Sequence, residues 1–170
     1  MHAPRTCVGV GALGHLAVQY LAKWGCDVTA VSSSRDKEDQ ARELGARHFI
    51  ATRGTEELRK AAGSFDFIFC TMSGDLPWDE YIAALRPQGR LCIIGVPEKP
   101  VTFGAFGLNG GERAIVGGQT GSVTDTTEML AFTARLGIKP IIETFLMAEA
   151  DRALQHTRLG KARFRVVLVA

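Results

Sequence analysis

The sequence lacks the features that mark membrane, secreted or nucleic-acid-binding proteins. Its apolar runs are too short to span a bilayer, and residues 1–5 (Met-His-Ala-Pro-Arg) contain no apolar core of a signal peptide. Its 20 Lys and Arg against 18 Asp and Glu give a net charge of +2, with no basic stripe and no acidic tail. We therefore expect no membrane, no nucleic acid as a partner, and a cytoplasmic location.

Cysteine is scarce, and no two cysteines form a CxxC pair. The four are far apart in sequence, and each lies within or beside an apolar run: Cys7, Cys26, Cys70 and Cys92. This pattern favours reduced packing residues over a disulfide framework or a zinc site. The sequence also has no internal repeat and no low-complexity segment. At 170 residues, of which 46% are hydrophobic, it is long enough for one packed domain, or one domain with a fragment of another.

The dominant motif is Gly9-x-Gly11-x-x-Gly14, between a short apolar strand and an apolar helix. Gly9 permits a tight turn, Gly11 lets a pyrophosphate approach the backbone, and Gly14 lets the helix lie close to the strand. The free N–H groups and positive dipole end of the helix would face the phosphates, so the predicted site includes Ala12 and Leu13. The alternative is a glycine-rich turn without a ligand. The strand–turn–helix context favours the nucleotide site.

Strands and helices alternate along the rest of the chain, as in a doubly wound α/β fold. About six strands precede Gly118, the number in a dinucleotide-binding (Rossmann) parallel sheet of order 3-2-1-4-5-6. The predicted strands are 6–10, 27–32, 48–51, 65–71, 90–95 and 114–117. The predicted helices are 13–24, 37–44, a short one after 54–55, one opened by 75–77, and one from a capping box at Ser122 to Gly137.

Two segments do not fit a completed sheet. Residues 101–111 are rich in glycine and are predicted to form a loop. Residues 141–145, 149–159 and 163–169 form a surplus strand–helix–strand appendage at the C-terminus. The appendage could add edge strands to the sheet, or it could be the end of a second domain whose bulk is absent.

Residues 9–19, Gly-Val-Gly-Ala-Leu-Gly-His-Leu-Ala-Val-Gln, resemble the zinc-dependent alcohol dehydrogenases of the medium-chain superfamily. The most similar branch is that of the cinnamyl alcohol dehydrogenases and bacterial aldehyde reductases. The resemblance continues through 32–34, 44–46, 65–68, 126–130, 137–143 and 160–167. It implies that residues 1–139 form an NADP-binding domain and that residues 140–170 return into a catalytic domain not included in this sequence. The family's segment before strand six is usually helical, unlike the loop predicted here.

The resemblance also implies an activity. Hydride would pass between NADP(H) and a primary alcohol or aldehyde, with zinc bound only by the catalytic domain of the full-length enzyme, and the protein would be a homodimer. This chain has no evident zinc ligand set and is not expected to turn over alone. A truncated remnant or non-catalytic NADP-binding module remains open. A methyltransferase is disfavoured because no acidic residue follows the second strand.

The end of the second strand favours NADP over NAD. NAD enzymes place an acidic residue there, whereas this chain has Ser32, Ser33 and Ser34, followed by Arg35 and Lys37. Hydroxyl groups can donate hydrogen bonds to a 2′-phosphate, and the two cations can neutralise it. By resemblance, the serines and Lys37 hold this phosphate. The alternative is a serine helix cap with solvated charges.

Further candidates follow the carboxyl ends of later strands, where ligands of such sheets gather. They are Thr71, Met72, Gly95, Val96, Gly118, Gln119 and Thr120. By resemblance, residues 118–120 hold the nicotinamide amide and Arg165 reaches the pyrophosphate. His15 is interpreted as a packing or supporting residue, and His48 and His156 as surface residues. No nucleophile–base constellation and hence no catalytic residue is evident.

Overall fold

A computed structural model describes the backbone of residues 5–170 and the side chains from residue 9 onward. Its main feature is a six-stranded parallel sheet of order β3-β2-β1-β4-β5-β6. The strands are β1 (Arg5–Gly9), β2 (Asp27–Ser32), β3 (His48–Ala51), β4 (Phe65–Cys70), β5 (Leu85–Ile93) and β6 (Ala114–Gly117). The predicted doubly wound fold and strand order are therefore confirmed. The Cys7 side chain and residues 1–4 lie outside the described residues.

Helices cover both faces of this sheet. They are α1 (Gly14–Lys23), α2 (Glu38–Glu43), α3 (Glu57–Lys60), α4 (Trp78–Ala84), α5 (Ala105–Asn109) and α6 (Val123–Leu136). One apolar cluster contains Val18 of α1 and Ala41 of α2, and another contains Leu58 of α3 and Ile82 of α4. Parallel strands buried in this way have nearly continuous apolar sequences, as β4 does. Among the described helices, none has the length and apolar character needed to cross a bilayer.

The fifth strand begins earlier than predicted. It pairs Leu85 with Phe65, then shifts register, and pairs Arg90 with Phe67. Residues 86–89, which precede the predicted strand, form an irregularity inside the observed one, with Gln88 at a φ of 63°. Its N–H donates to the Gly111 carbonyl at 2.7 Å. Because β5 pairs with β4 on both sides of this irregularity, the strand begins at Leu85. The local sequence does not contain this pairing, so it could not predict the earlier start.

The loop predicted at residues 101–111 is wrong in part, because α5 forms within it. Tertiary contacts compensate for the low helix propensity of its glycine. Asp79 of α4 accepts a hydrogen bond from the N–H of Gly104, the residue before the helix, at 2.8 Å. Leu108 packs against the core cluster of α3 and α4. A Cβ on Gly107 would lie 3.2 Å from Ile82, so this glycine allows the two helices to approach closely.

The start and end of α6 agree with the prediction. Ser122 accepts a hydrogen bond from the Asp125 N–H, and the Asp125 carboxylate accepts one from the Ser122 N–H, which completes the capping box. Gly137 ends the helix at a left-handed φ of 63°, a conformation that costs glycine little.

The C-terminal appendage forms a separate unit instead of extending the main sheet. β7 (Ile142–Leu146) pairs in parallel with β8 (Arg165–Val169), and α7 (Ala150–Arg158) connects them. We call residues 142–169 the C-terminal unit. One face of its small sheet packs toward α7. The other carries exposed residues in register: Ile142, Thr144, Leu146, Arg165, Val167 and Val169.

This exposed apolar face leads us to predict self-association. Leu146 is 57% exposed and Val169 is 39% exposed, although both are apolar and lie in strands. Exposed apolar faces and unpaired strand edges recruit other chains. We expect a dimer or larger species in sedimentation velocity, and we expect Leu146→Lys to shift it toward monomer. Gln155→Lys on the exposed side of α7 is the charge-matched control.

A monomer at high protein concentration would contradict the prediction. A dimer that persists in Leu146→Lys would place the contact elsewhere, with β6 at the edge of the main sheet as the next surface to test.

Candidate functional site

The turn between β1 and α1 exposes an uncapped helix start. Leu13 occupies the N-cap position, makes no side-chain capping bond, and no acidic residue follows in the first turn. The first backbone hydrogen bonds of the helix are donated by His15 to the Gly11 carbonyl, and then by Leu16 and Ala17 to the Leu13 carbonyl. The N–H groups before them therefore remain available to an anion at the positive end of the helix dipole.

The three motif glycines are needed for different reasons. A Cβ on Gly14 would lie 1.6 Å from the Gly9 carbonyl oxygen, so only glycine allows α1 to approach β1 this closely. A Cβ on Gly9 would lie 3.0 Å from Met72. At Gly11, by contrast, no described atom lies within 4 Å of the Cβ position. The space beside Gly11 is open, as the close approach of a ligand requires.

The carboxyl ends of β1, β4, β5 and β6 converge around this turn. Thr71, after β4, donates its hydroxyl hydrogen bond to the Gly9 carbonyl at 3.2 Å. A Cβ on Gly95 would lie 2.1 Å from the Met72 carbonyl oxygen, so the chain after β5 presses directly against the chain after β4. A Cβ on Gly118 would lie 2.0 Å from the Ile94 side chain. Thr71, Met72 and Gly95 are thus in close contact with one another or with the turn, and Gly118 packs against the chain after β5.

The loop after β2 also reaches the glycine turn. Lys37 is exposed, and its Nζ donates to the Val10 carbonyl at 3.3 Å. Ser32 is buried, whereas the Ser33 side chain is exposed at the end of the strand. The Ser34 hydroxyl donates to the carboxylate of Asp36 at 2.9 Å, which occupies that donor. Ser33 and Lys37 are therefore the residues of this loop best placed to meet a ligand.

Arg35, in contrast, is already engaged by acidic residues. Its guanidinium pairs with Glu38 at 2.7 Å and also with Glu57. Hydrogen bonds first to Glu38 and then to Glu57 raise the pKa of this exposed Arg35. The expectation that two cations of this loop are available to neutralise a phosphate therefore applies to Lys37 alone.

The remaining candidates lie farther from the turn or are fully exposed. Val96 after β5 is 80% exposed, and Gln119 and Thr120 after β6 are also exposed. Arg165 is exposed at the start of β8, yet its charge acts on His15 in the first turn of α1. This places the Arg165 charge on the side of the molecule where α1 begins.

The three described histidines differ in environment. His15 is fully buried, and desolvation lowers the pKa of its imidazole, with the positive charge of Arg165 adding to the effect. His48 is exposed, as predicted. His156 is not simply a surface residue, because its half-buried ring lies 2.8 Å from a Glu143 carboxylate oxygen. A backbone hydrogen bond from Arg163 is the main reason that the pKa of Glu143 is lowered.

The described residues do not provide a zinc site. Among them, no group of three or more His, Cys, Asp or Glu side chains is placed to hold a metal ion. Cys26, Cys70 and Cys92 are free thiols, and burial raises the pKa of the latter two. Cys70 and Cys92 are buried and Cys26 packs against an apolar cluster, in agreement with their interpretation as packing residues.

Comparison with known proteins identifies relatives of this arrangement. The zinc-binding dehydrogenase family matches residues 12–135. An aldehyde reductase AdhA of Synechocystis sp. is 41% identical over 161 residues, which cover 95% of this chain and 48% of that protein. Among solved structures, a cinnamyl alcohol dehydrogenase of Sorghum bicolor superposes with a TM-score of 0.92 at 31% identity, over 98% of this chain and 47% of that one.

A second solved structure, CAD from Helicobacter pylori complexed with NADP(H), has a TM-score of 0.85 at 27% identity, over 98% of this chain and 47% of its own. The chain thus spans about half the length of the relatives it matches. The family match covers well over half of the chain, including the glycine turn from Ala12 onward and all strands from β2 to β6. The chain therefore belongs to the zinc-binding dehydrogenases.

Proposed function

We propose that this chain is the NADP(H)-binding part of an alcohol dehydrogenase or aldehyde reductase that transfers hydride between the nicotinamide and a primary alcohol or aldehyde. Residues 1–139 would form the dinucleotide-binding domain. Residues 140–170 would form the return into a catalytic domain on the other half of the full-length protein. We also propose a cytoplasmic location, because widely spaced cysteines, each within or beside an apolar run, are typical of proteins whose thiols stay reduced.

One observation carries the proposal: an uncapped helix start lies beside an open position at Gly11. A pyrophosphate fits there, because it needs free N–H groups and close access to the backbone. The adjacent strand ends offer Thr71, Met72, Gly95 and Val96 along the path of a dinucleotide. The Helicobacter pylori relative, which has the same fold, is described as complexed with NADP(H).

The 2′-phosphate would be held by Ser33 and Lys37. The exposed hydroxyl of Ser33 lies where NAD enzymes place an acidic residue. Among the described residues, Lys37 contacts the Val10 carbonyl and pairs with no acid, unlike Arg35. The nicotinamide would lie beside residues 118–120, and Arg165 would contribute positive charge near the pyrophosphate.

The bound cofactor would supply the hydride donor or acceptor, while this chain's residues bind and orient it. Zinc does not fit the described residues, so no step through a metal is assigned to this chain. A non-catalytic NADP-binding module would present the same turn, and activity of the full-length protein distinguishes it. A methyltransferase would bind S-adenosylmethionine in preference to NADP(H), and a competition titration distinguishes that alternative.

We predict that the isolated chain binds NADPH but neither oxidises alcohols nor reduces aldehydes. Hydride transfer by a zinc-dependent dehydrogenase needs a metal ion beside the nicotinamide to act as a Lewis acid. The described residues contain no set of three side chains that could bind such an ion. Fluorescence or calorimetric titration measures binding, absorbance at the NADPH band measures turnover, and metal analysis measures zinc. One tightly held zinc per chain together with aldehyde turnover would contradict the prediction.

A further inference from the structure

Two polar side chains of helix α1, one turn apart, make hydrogen bonds to the backbone just before the C-terminal unit. Gln19 donates a hydrogen bond through its Nε2 to the Lys139 carbonyl at 3.0 Å. The Ile141 N–H donates to the Nε2 of His15 at 3.2 Å. The same helix begins at the glycine turn, so one rigid element joins the candidate phosphate site to the segment that leads into β7.

Phe164, the residue before β8, contacts the same histidine. Phe164 stacks on the His15 ring, with centroids 4.4 Å apart and planes inclined by 11°. Phe164 also packs against the apolar cluster that contains residues of α1 and α2. Both strands of the C-terminal unit are therefore fixed to the buried His15 side chain just before they begin.

These contacts require the neutral form of His15. Because Nε2 accepts a hydrogen bond, the ring proton of the neutral form must be on Nδ1. That Nδ1 is buried and has no hydrogen-bond partner among the described residues. Burial, the larger effect, lowers the pKa of the ring and outweighs the backbone of Gly11 and Ala12, which raises it. The charged residues on the packed segments are Lys139 before β7, Glu143 on β7, Arg163 before Phe164 and Arg165 on β8. Glu143 is engaged by the Arg163 N–H and by His156, whereas the positive charge of Arg165 acts on His15 and disfavours its protonation. A second ring proton would abolish the acceptor and add a buried positive charge.

We propose that His15 is a positioning residue whose neutral imidazole fastens the C-terminal unit to the glycine turn, and that protonation of the ring releases this attachment. The pKa of His15 is lowered in the folded protein, so the docked state binds the proton less readily than a released one. Docking is therefore complete above the ordinary histidine pKa of about 6.5 and weakens as the pH falls below it.

The test is hydrogen exchange of the Ile141 amide, measured by NMR on the full chain from pH 8 to pH 5 and normalised to intrinsic exchange rates. Wild type should lose protection below about pH 6.5, by roughly tenfold or more, because one hydrogen bond is lost. His15→Gln keeps an acceptor that does not titrate, so its protection should stay constant with pH. His15→Leu fills the space without an acceptor and should be weakly protected throughout. His48→Gln, at an exposed histidine, is the control and should behave like wild type.

The proposal is overturned if wild-type protection shows no break with pH, or if His15→Leu protects Ile141 as well as wild type does. Should His15→Leu not fold, direct titration of the His15 ring by NMR replaces it. A ring that titrates while Ile141 protection stays constant also overturns the proposal.

A second measurement rests on the proposed function. Loosening the start of α1 affects the pyrophosphate, which NADPH and NADH share, so His15→Leu should weaken both by a similar factor of several-fold. Equal affinity of wild type and variant for both coenzymes overturns the coupling to the glycine turn. Failure of wild type to bind either coenzyme would overturn the proposed function but leave the exchange result intact.

Discussion

Replacing Gly11 with alanine should greatly weaken NADPH binding with little effect on folding. No described atom lies within 4 Å of the new Cβ, so the free protein can accommodate it, and we expect its melting temperature to change by less than about 3 °C. A pyrophosphate that hydrogen-bonds to this turn would meet the methyl group. We expect roughly a hundredfold loss of affinity, equivalent to about 2.8 kcal/mol.

Gly14→Ala is the matched substitution with the opposite effect. Its Cβ would lie 1.6 Å from the Gly9 carbonyl oxygen, a backbone atom that cannot rotate away. We expect a loss of about 3 kcal/mol or more in the free energy of unfolding, because α1 must move off β1. Thermal unfolding and NADPH titration of both variants are the measurements. Unchanged NADPH affinity in Gly11→Ala would remove the phosphate from this turn.

Replacing Ser33 with aspartate should reverse the coenzyme preference from NADP to NAD. The Ser33 side chain is exposed at the end of β2, so the new carboxylate would face the adenosine ribose of a bound dinucleotide. It would repel a 2′-phosphate and accept hydrogen bonds from a free ribose hydroxyl. Calorimetric titration of wild type and variant with both coenzymes measures the change. A variant that still prefers NADP would show that Ser33 does not face the phosphate.

Lys37→Ala tests the same proposed 2′-phosphate site. It removes a charge that attracts the phosphate, whereas Ser33→Asp adds one that repels it. Losing one charge-assisted hydrogen bond should cost roughly 1.5–3 kcal/mol, or about ten- to a hundredfold in NADP affinity, and leave NAD binding nearly unchanged. Because Lys37 is exposed, we expect the lower half of this range and a smaller effect in added salt. Lys60→Ala on α3 removes an equal charge elsewhere. Equal weakening of both coenzymes by Lys37→Ala would mean that the loop only starts a helix.

Sequence reasoning was most successful where a residue type has only one good structural use. Gly137 ends a helix with a left-handed backbone, and the Ser122–Asp125 pair begins one, so both boundaries of α6 could be predicted. It failed for α5, because the hydrogen bond from Gly104 to Asp79 joins residues 25 positions apart. Arg35 was expected to be a free cation, although Glu38 three positions later is a local signal for its pairing; its second partner, Glu57, lies 22 positions away and could not be predicted.

The sequence by itself determined the order of the six parallel strands, the family, and the position of the glycine turn. These depend on local signals: apolar runs that must be buried on both faces, and glycines required by tight backbone approach. Only the tertiary structure decided that Lys37 reaches the Val10 carbonyl, that Arg35 also pairs with Glu57, and that His15 accepts the Ile141 N–H just before β7. The orientation and charge state of these three side chains depend on contacts with residues far away in sequence. The amino-acid sequence does not give the distances between such residues, so these contacts could not be predicted from it.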